Sequence, residues 1–273
     1  MPPSFERIHP RAAAIPVVVE VPHAGLAADA EALATLVAPA RSLARDADLY
    51  VDELFEAAPA LGATLLVARI SRYVCDLNRG PADVDARAVE GAQGAGHAHG
   101  LVWHRTTDGQ PALDRPLPRA ELERRIHGIY RPYHAALQEA LDEVRRQFGF
   151  AILLCGHSMP SRGRRDHSDL GQERADVVPG SRGRTSAAAA VIDAVESVAR
   201  ARGLRVRHDE PYRGGYSTGR YGRPEEHIHA IQVELNRKLY MNERSLQRKP
   251  NDFEATRALC GALVAELGKL ALA

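Results

Sequence analysis

At 273 residues the chain is long enough for one large α/β domain with a substantial buried core. Its 36 basic and 35 acidic side chains nearly cancel and only 5% of residues are aromatic, which speaks against nucleic acid or an anionic membrane as a partner. Three cysteines without paired spacing, no apolar run of the ~20 residues a membrane span needs, and an amino terminus without a signal-like stretch predict a soluble cytoplasmic protein with free thiols.

The first predicted strand is Val17 to Val21, a β-branched run ending at Pro22-His23-Ala24-Gly25. Nearly continuous apolar runs of this kind suit a sheet covered on both faces, as in a largely parallel arrangement. A helical stretch is expected over 41–57, with Asp46 and Asp48 early in it, and a second strand over Ala63 to Ile70. From Gly80 to Pro118 the composition is rich in Gly, Pro, His and Asp with little periodicity, which predicts long loops over the sheet edge. Leu122, Ile126, Ile129 and Tyr133 fall at helical spacing within 119–148, where Pro132 should kink or divide the helix. Phe150 to Cys155 reads as a buried strand closing on Gly156-His157-Ser158, and Ser161 to Ser181 as a polar, Arg- and Gly-rich loop. A helix over 187–201, a short strand over Arg205 to His208, a glycine segment Pro211 to Tyr216, a strand over His229 to Leu235 and a final helix over 253–270 complete the pattern. Strands alternating with helices, no internal repeat and no long linker predict a single three-layer α/β domain over 1–273, with a loop insertion at about 80–118.

Chemistry concentrates where strands end, which is where open α/β sheets gather ligands. The run Asp76-Leu77-Asn78-Arg79 follows the second strand; Arg79 offers a planar fork of donors matched to a carboxylate, Asn78 an amide beside it, and Arg72 lies seven residues upstream. His23 and His157 close two other strands, and two histidines with one carboxylate around zinc, leaving a position for water, form a hydrolase site. Either Asp46 or Asp48 could supply that carboxylate. Glu234, flanked by Val233 and Leu235 in a buried strand, is costly unless paired or neutralised, so it is a candidate general base. Plainer roles compete at each position: a turn residue at His23, a loop-forming pair at His157-Ser158, helix-dipole partners at Asp46 and Asp48, and an ion pair between Glu234 and Arg237.

Taken together, the stretches Val21-Pro22-His23-Ala24-Gly25, Asp46 to Phe55, Ser71 to Arg79, Gly156-His157-Ser158-Met159-Pro160, Pro211 to Tyr216 and Gln232 to Arg237 resemble the N-formylglutamate amidohydrolase family. The resemblance implies kinship with zinc carboxypeptidases and aspartoacylase, a mixed and mainly parallel sheet flanked by helices, and a single zinc. It implies His23 and His157 as ligands with Asp48 as the acidic third and Asp46 as its fallback, because Leu26 stands where the wider group places that acid. It further implies Glu234 as general base, Arg72 as the group that polarises the carbonyl, and Asn78 and Arg79 as the grip on a substrate carboxylate. Arg213 would assist that grip, and Gly214 and Gly215 would admit close backbone approach to the ligand. The implied activity is removal of formyl from N-formyl-L-glutamate, giving formate and glutamate. Three readings compete: the same metal site acting on another N-acyl amino acid or a short peptide, a Ser158 or Cys155 nucleophile with a histidine base, and a non-catalytic carboxylate-binding protein.

Overall fold

The computed structural model describes residues 3–93, 97–165 and 167–272, so residues 94–96 and 166 of the two expected loops lie outside the description. Six strands form one sheet: β1 (Phe5–Ile8), β2 (Val17–Val21), β3 (Thr64–Ala68), β4 (Ala151–Met159), β5 (Val177–Gly180) and β6 (Ile228–Asn236). Their spatial order is β1-β3-β2-β4-β6-β5. The four inner strands are mutually parallel, with Val18 opposite Thr64, Val17 opposite Ile152, and Ala151 opposite Ile228. Both outer strands are antiparallel to their neighbours. The expected mixed, mainly parallel sheet is thus the observed one.

Helices α1 (Ala30–Leu33), α2 (Ala40–Asp46), α3 (Val51–Leu54), α4 (Arg119–Arg125), α5 (Arg131–Phe148), α6 (Ala189–Arg200), α7 (Tyr216–Tyr221) and α8 (Pro250–Leu267) complete the frame. Strand alternation sorts the inner residues between two cores. Val17, Val19, Leu65, Ile152, Leu154 and Val233 pack against α3, α6 and α8 through Leu54, Val191, Val195 and Leu263. Val18, Leu66, Leu153 and Ala230 face Tyr133, Leu137 and Leu141 of α5. This second core also takes in Val89, Leu101 and Leu117, so the 80–118 segment, which has no helix or strand among its described residues, is packed rather than loose.

Some expectations need correction. The 41–57 helix is two helices, broken at 47–50, where Tyr50 takes a positive φ of 69°. Asp46 therefore ends α2 and Asp48 sits in the break, neither of them early in a helix. The 119–148 region is continuous but passes through a π-helical turn at Ile126–Tyr130, next to Pro132, whose missing N–H and bulky ring disfavour a regular ladder. The segment 205–208 contributes only a bridge from Val206 to Val177, while that partner belongs to β5, a strand inside the expected loop. β5 was hidden because Pro179 and Gly180 fill half of it; edge strands tolerate proline. β1, half-exposed and charged, likewise carries no strand signature. No helix among the described residues is long and apolar enough to cross a membrane.

Candidate metal centre

Because β2, β3, β4 and β6 run the same way, their carboxyl ends meet along one margin of the sheet. His23 lies just beyond β2 and His157 near the end of β4, both 2% exposed. The break after α2 packs on β2 through a hydrogen bond from the Asp48 amide to the His23 carbonyl, 2.9 Å. That contact turns the Asp48 carboxylate inward. Its Oδ2 lies 3.0 Å from His157 Nδ1 and 3.6 Å from His23 Nδ1. The imidazole centroids are 4.9 Å apart. One ligand-capable atom from each of the three residues lies within 4.8 Å of the others.

These residues fit a divalent ion. The His23 Nδ1 atom is buried without a hydrogen-bond partner, a costly arrangement unless a ligand satisfies it. Two imidazoles and a carboxylate form a donor set suited to zinc. Behind the centre, Asp76 is fully buried and holds His23 by Nε2, 2.7 Å away. The same carboxylate receives Arg72 at 2.9 and 3.2 Å, the indole N–H of Trp103 at 3.0 Å and the Asn78 amide at 2.9 Å. Burial would raise the pKa of Asp76, but the charges of His23 and Arg72 hold it well below the carboxylate range. Asp48 behaves likewise: burial opposes ionisation, while His157 and His23 outweigh it. Its Oδ1 accepts from Arg237 Nη2 at 3.0 Å, so Arg237 pairs with Asp48 and not with Glu234.

Glu234 stands opposite His157 in the β4–β6 register, and parallel partners share a face. Among the described residues its side chain accepts one hydrogen bond, from Gln232 Nε2 at 3.0 Å. Burial, together with the negative charge of Asp48, raises its pKa to about 7 against the pull of His157, Arg237 and Arg72. Gln232 Oε1 also accepts from the Gly215 amide at 2.9 Å, joining the base candidate to the glycine segment. Asn78 lies between them: its Nδ2 is 3.3 Å from His157 Nε2, and its Oδ1 accepts from the Ser217 amide at 3.0 Å. A Cβ on Gly215 would fall 2.3 Å from Asn78 Nδ2, and Gly214 adopts φ +102°, so this close approach requires both glycines.

The expected metal ligands, base and substrate-gripping residues border one cavity of about 500 Å³: His23, Asp48, His157 and Glu234 in its floor, with Arg72, Asn78, Arg79 and the 213–215 segment around them. Arg79 donates to the carbonyls of His99 and Asn78, whereas Arg213 is exposed, with no side-chain partner among the described residues. Asp46 is committed elsewhere, accepting from Tyr73, from Thr107 and, at 2.9 Å, from Arg164. Asp76, Gln232 and Arg237 lie in the stretches singled out in the sequence but carry no individual site role there, and Arg164 lies outside those stretches. One cue was available: Gln232, Glu234 and Asn236 alternate along a buried strand, marking its polar face.

The nucleophile alternatives find little support. Ser158 Oγ accepts from Arg237 and has no hydrogen bond to a histidine among the described residues, and burial pushes the Cys155 thiol well up. Ser181, His208 and Glu196 do line up at 2.8 and 3.0 Å. Ser181 is nevertheless fully buried away from the cavity, and Asp209 already occupies the amides of Ser181 and Gly183.

A cationic cavity whose floor joins a metal-competent triad to a buried glutamate of raised pKa is the equipment of an amide-opening hydrolase. Comparison with known proteins narrows the class. The chain belongs to the N-formylglutamate amidohydrolase family, whose model matches residues 15–241. It is 34% identical over 232 residues to an N-formylglutamate deformylase of Pseudomonas putida, covering 84% of this chain and 83% of that one. A second N-formylglutamate deformylase, from Pseudomonas aeruginosa, is 33% identical over 263 residues, covering 93% and 92%. The crystal structure of N-formylglutamate amidohydrolase from Ralstonia eutropha JMP134 superposes with a TM-score of 0.88 at 31% identity over 98% of both chains.

Proposed function

We propose that this enzyme hydrolyses the formyl amide of N-formyl-L-glutamate to formate and glutamate, using one zinc ion held by His23, Asp48 and His157. The observation that carries the reading is the convergence of those three side chains beside Glu234. When bound, the ion supplies Lewis acidity, polarising a carbonyl and making a water acidic near neutral pH. Glu234 takes a proton from the attacking water and returns it to the departing nitrogen, a task its pKa near 7 suits. Arg72, fixed by Asp76 and stacked on Trp103 with its guanidinium carbon 4.5 Å from the ring centroid, steadies the negative charge that develops on the formyl oxygen. Asn78, Arg79 and Arg213 hold substrate carboxylate, with the Gly214 and Gly215 backbone closing on the ligand. Buried free thiols at Cys75, Cys155 and Cys260 accord with a reducing cytoplasm. The test is formate release from N-formylglutamate by protein of known metal content. Activity that falls with chelation and returns with zinc supports the reading; turnover indifferent to the chelator removes zinc from it.

A further inference from the structure

The arginines bordering the cavity are not equivalent. Arg237 spends all its nitrogens, on Ser158, the Arg45 carbonyl and Asp48. Arg174 does the same with Asp169, Pro160 and His167. Arg164 differs. Its Nη1 alone is anchored, to the Arg45 carbonyl at 3.1 Å, to Asp46 at 2.9 Å and to Thr107 at 3.2 Å. Its Nε and Nη2, the side-on edge of the guanidinium, have no acceptor among the described residues. The side chain is only 12% exposed and borders the cavity.

This geometry is an anchored fork with one bidentate edge left open. Two parallel N–H donors on that edge match the two oxygens of a carboxylate. The surroundings favour an added anion, because Arg237 and Arg164 both donate to the Arg45 carbonyl, which crowds two cations together. Burial and the charge of Arg237 depress the Arg164 pKa to about 10, a penalty an incoming carboxylate would relieve. The same Arg237 reaches Asp48 at 3.0 Å, so one guanidinium separates the open fork from the metal-competent triad.

We infer that the open Nε–Nη2 edge of Arg164 receives the side-chain carboxylate of the substrate and sets the preference for an acidic acyl amino acid. The inference rests on the deformylase reading for its substrate, and names within it a specificity residue that the Asn78–Arg79 pair does not supply.

Arg164→Lys keeps the charge and a bond to Asp46 but loses the edge; Arg164→Ala loses both. Formate release is compared for N-formylglutamate and N-formylnorvaline, whose side chain carries a methyl group in place of the carboxylate. The ratio of their kcat/KM values should fall about tenfold in the lysine variant and about a hundredfold in the alanine variant, chiefly through KM for N-formylglutamate. An unchanged ratio overturns the inference, since it would leave Arg164 only a structural anchor for Asp46. Calorimetric titration with glutarate and with butyrate reads the fork without turnover. Glutarate should bind the parent at least about tenfold more tightly, and Arg164→Lys should close that gap; equal binding by the parent overturns the inference. A glutarate preference in a parent that releases no formate from either substrate would sink the deformylase reading and leave the carboxylate fork standing.

Discussion

Asp76 touches no substrate, yet four donors and one imidazole depend on its two oxygens. A carboxylate behind a ligating histidine fixes ring orientation and raises ligand basicity, and its loss typically costs 10–100-fold in metal affinity. Asp76→Asn should therefore weaken zinc retention by about that factor in a chelator-competition titration. Glu234→Gln should retain zinc normally and lose turnover by about 10²–10⁴-fold, as expected for removal of a general base. Normal zinc retention by Asp76→Asn would remove its orienting role, and zinc loss from Glu234→Gln would make Glu234 a ligand instead of the base. The contrast also shows what was legible. His23, Asp48, His157 and Glu234 are chemically conspicuous in the sequence, because a histidine at a strand end or an acid inside an apolar strand demands a reason. Asp76 was in plain view in the Asp76-to-Arg79 run but silent, since orienting another side chain requires knowing where that side chain lies. Arg164 and Arg237 were silent for the same cause, in segments where arginine is common.

At the level of elements, the central strands were readable because burial on both faces leaves an apolar run, whereas β1 and β5 at the edges are written in charge, proline and glycine. The break between α2 and α3 was unreadable: Asp48 belongs to a helix-compatible composition, and the break comes with a tertiary contact of its amide to the His23 carbonyl and a positive φ at Tyr50. Helix α5 carries a different consequence. His134, 7% exposed, pairs with the Tyr221 hydroxyl of α7 at 2.9 Å, and burial with the nearby Arg220 charge lowers its pKa to about 3. Between pH 6.5 and about 3 the unfolded chain therefore binds a proton at this position that the native chain refuses, so His134 costs stability as pH falls. His134→Gln keeps a partner for the hydroxyl and does not titrate. Relative to the parent, its urea midpoint should rise steadily as pH falls from 7.5 to 4. A gap independent of pH would mean that His134 is charged, or accessible, in the native protein.

Over the whole molecule, the parallel strand ends supply the floor of the cavity, but its walls come from segments far apart in sequence, and Asp46 ties them together. Its carboxylate binds Thr107 of the 80–118 segment, Tyr73 beyond β3 and Arg164 of the segment leading to β5. Burial disfavours the ionised Asp46, yet hydrogen bonds from Thr107 and Tyr73 and the Arg164 charge keep its pKa below the usual value. Removing a buried charge partner strands the other charge and costs about 3–5 kcal/mol. Asp46 and Asp48, two residues apart, thus divide two tasks: Asp48, the expected acidic ligand, faces the histidines, while Asp46, its fallback, latches the walls. Asp46→Ala should lower the unfolding free energy by about that amount and open the 80–118 and 161–176 segments to limited proteolysis, with bound zinc near the parent level. Asp48→Ala should do the reverse, losing zinc while those segments stay protected. Zinc loss from the Asp46 variant alone would return the ligand to position 46 and make the break at 47–50 a mere connection between helices.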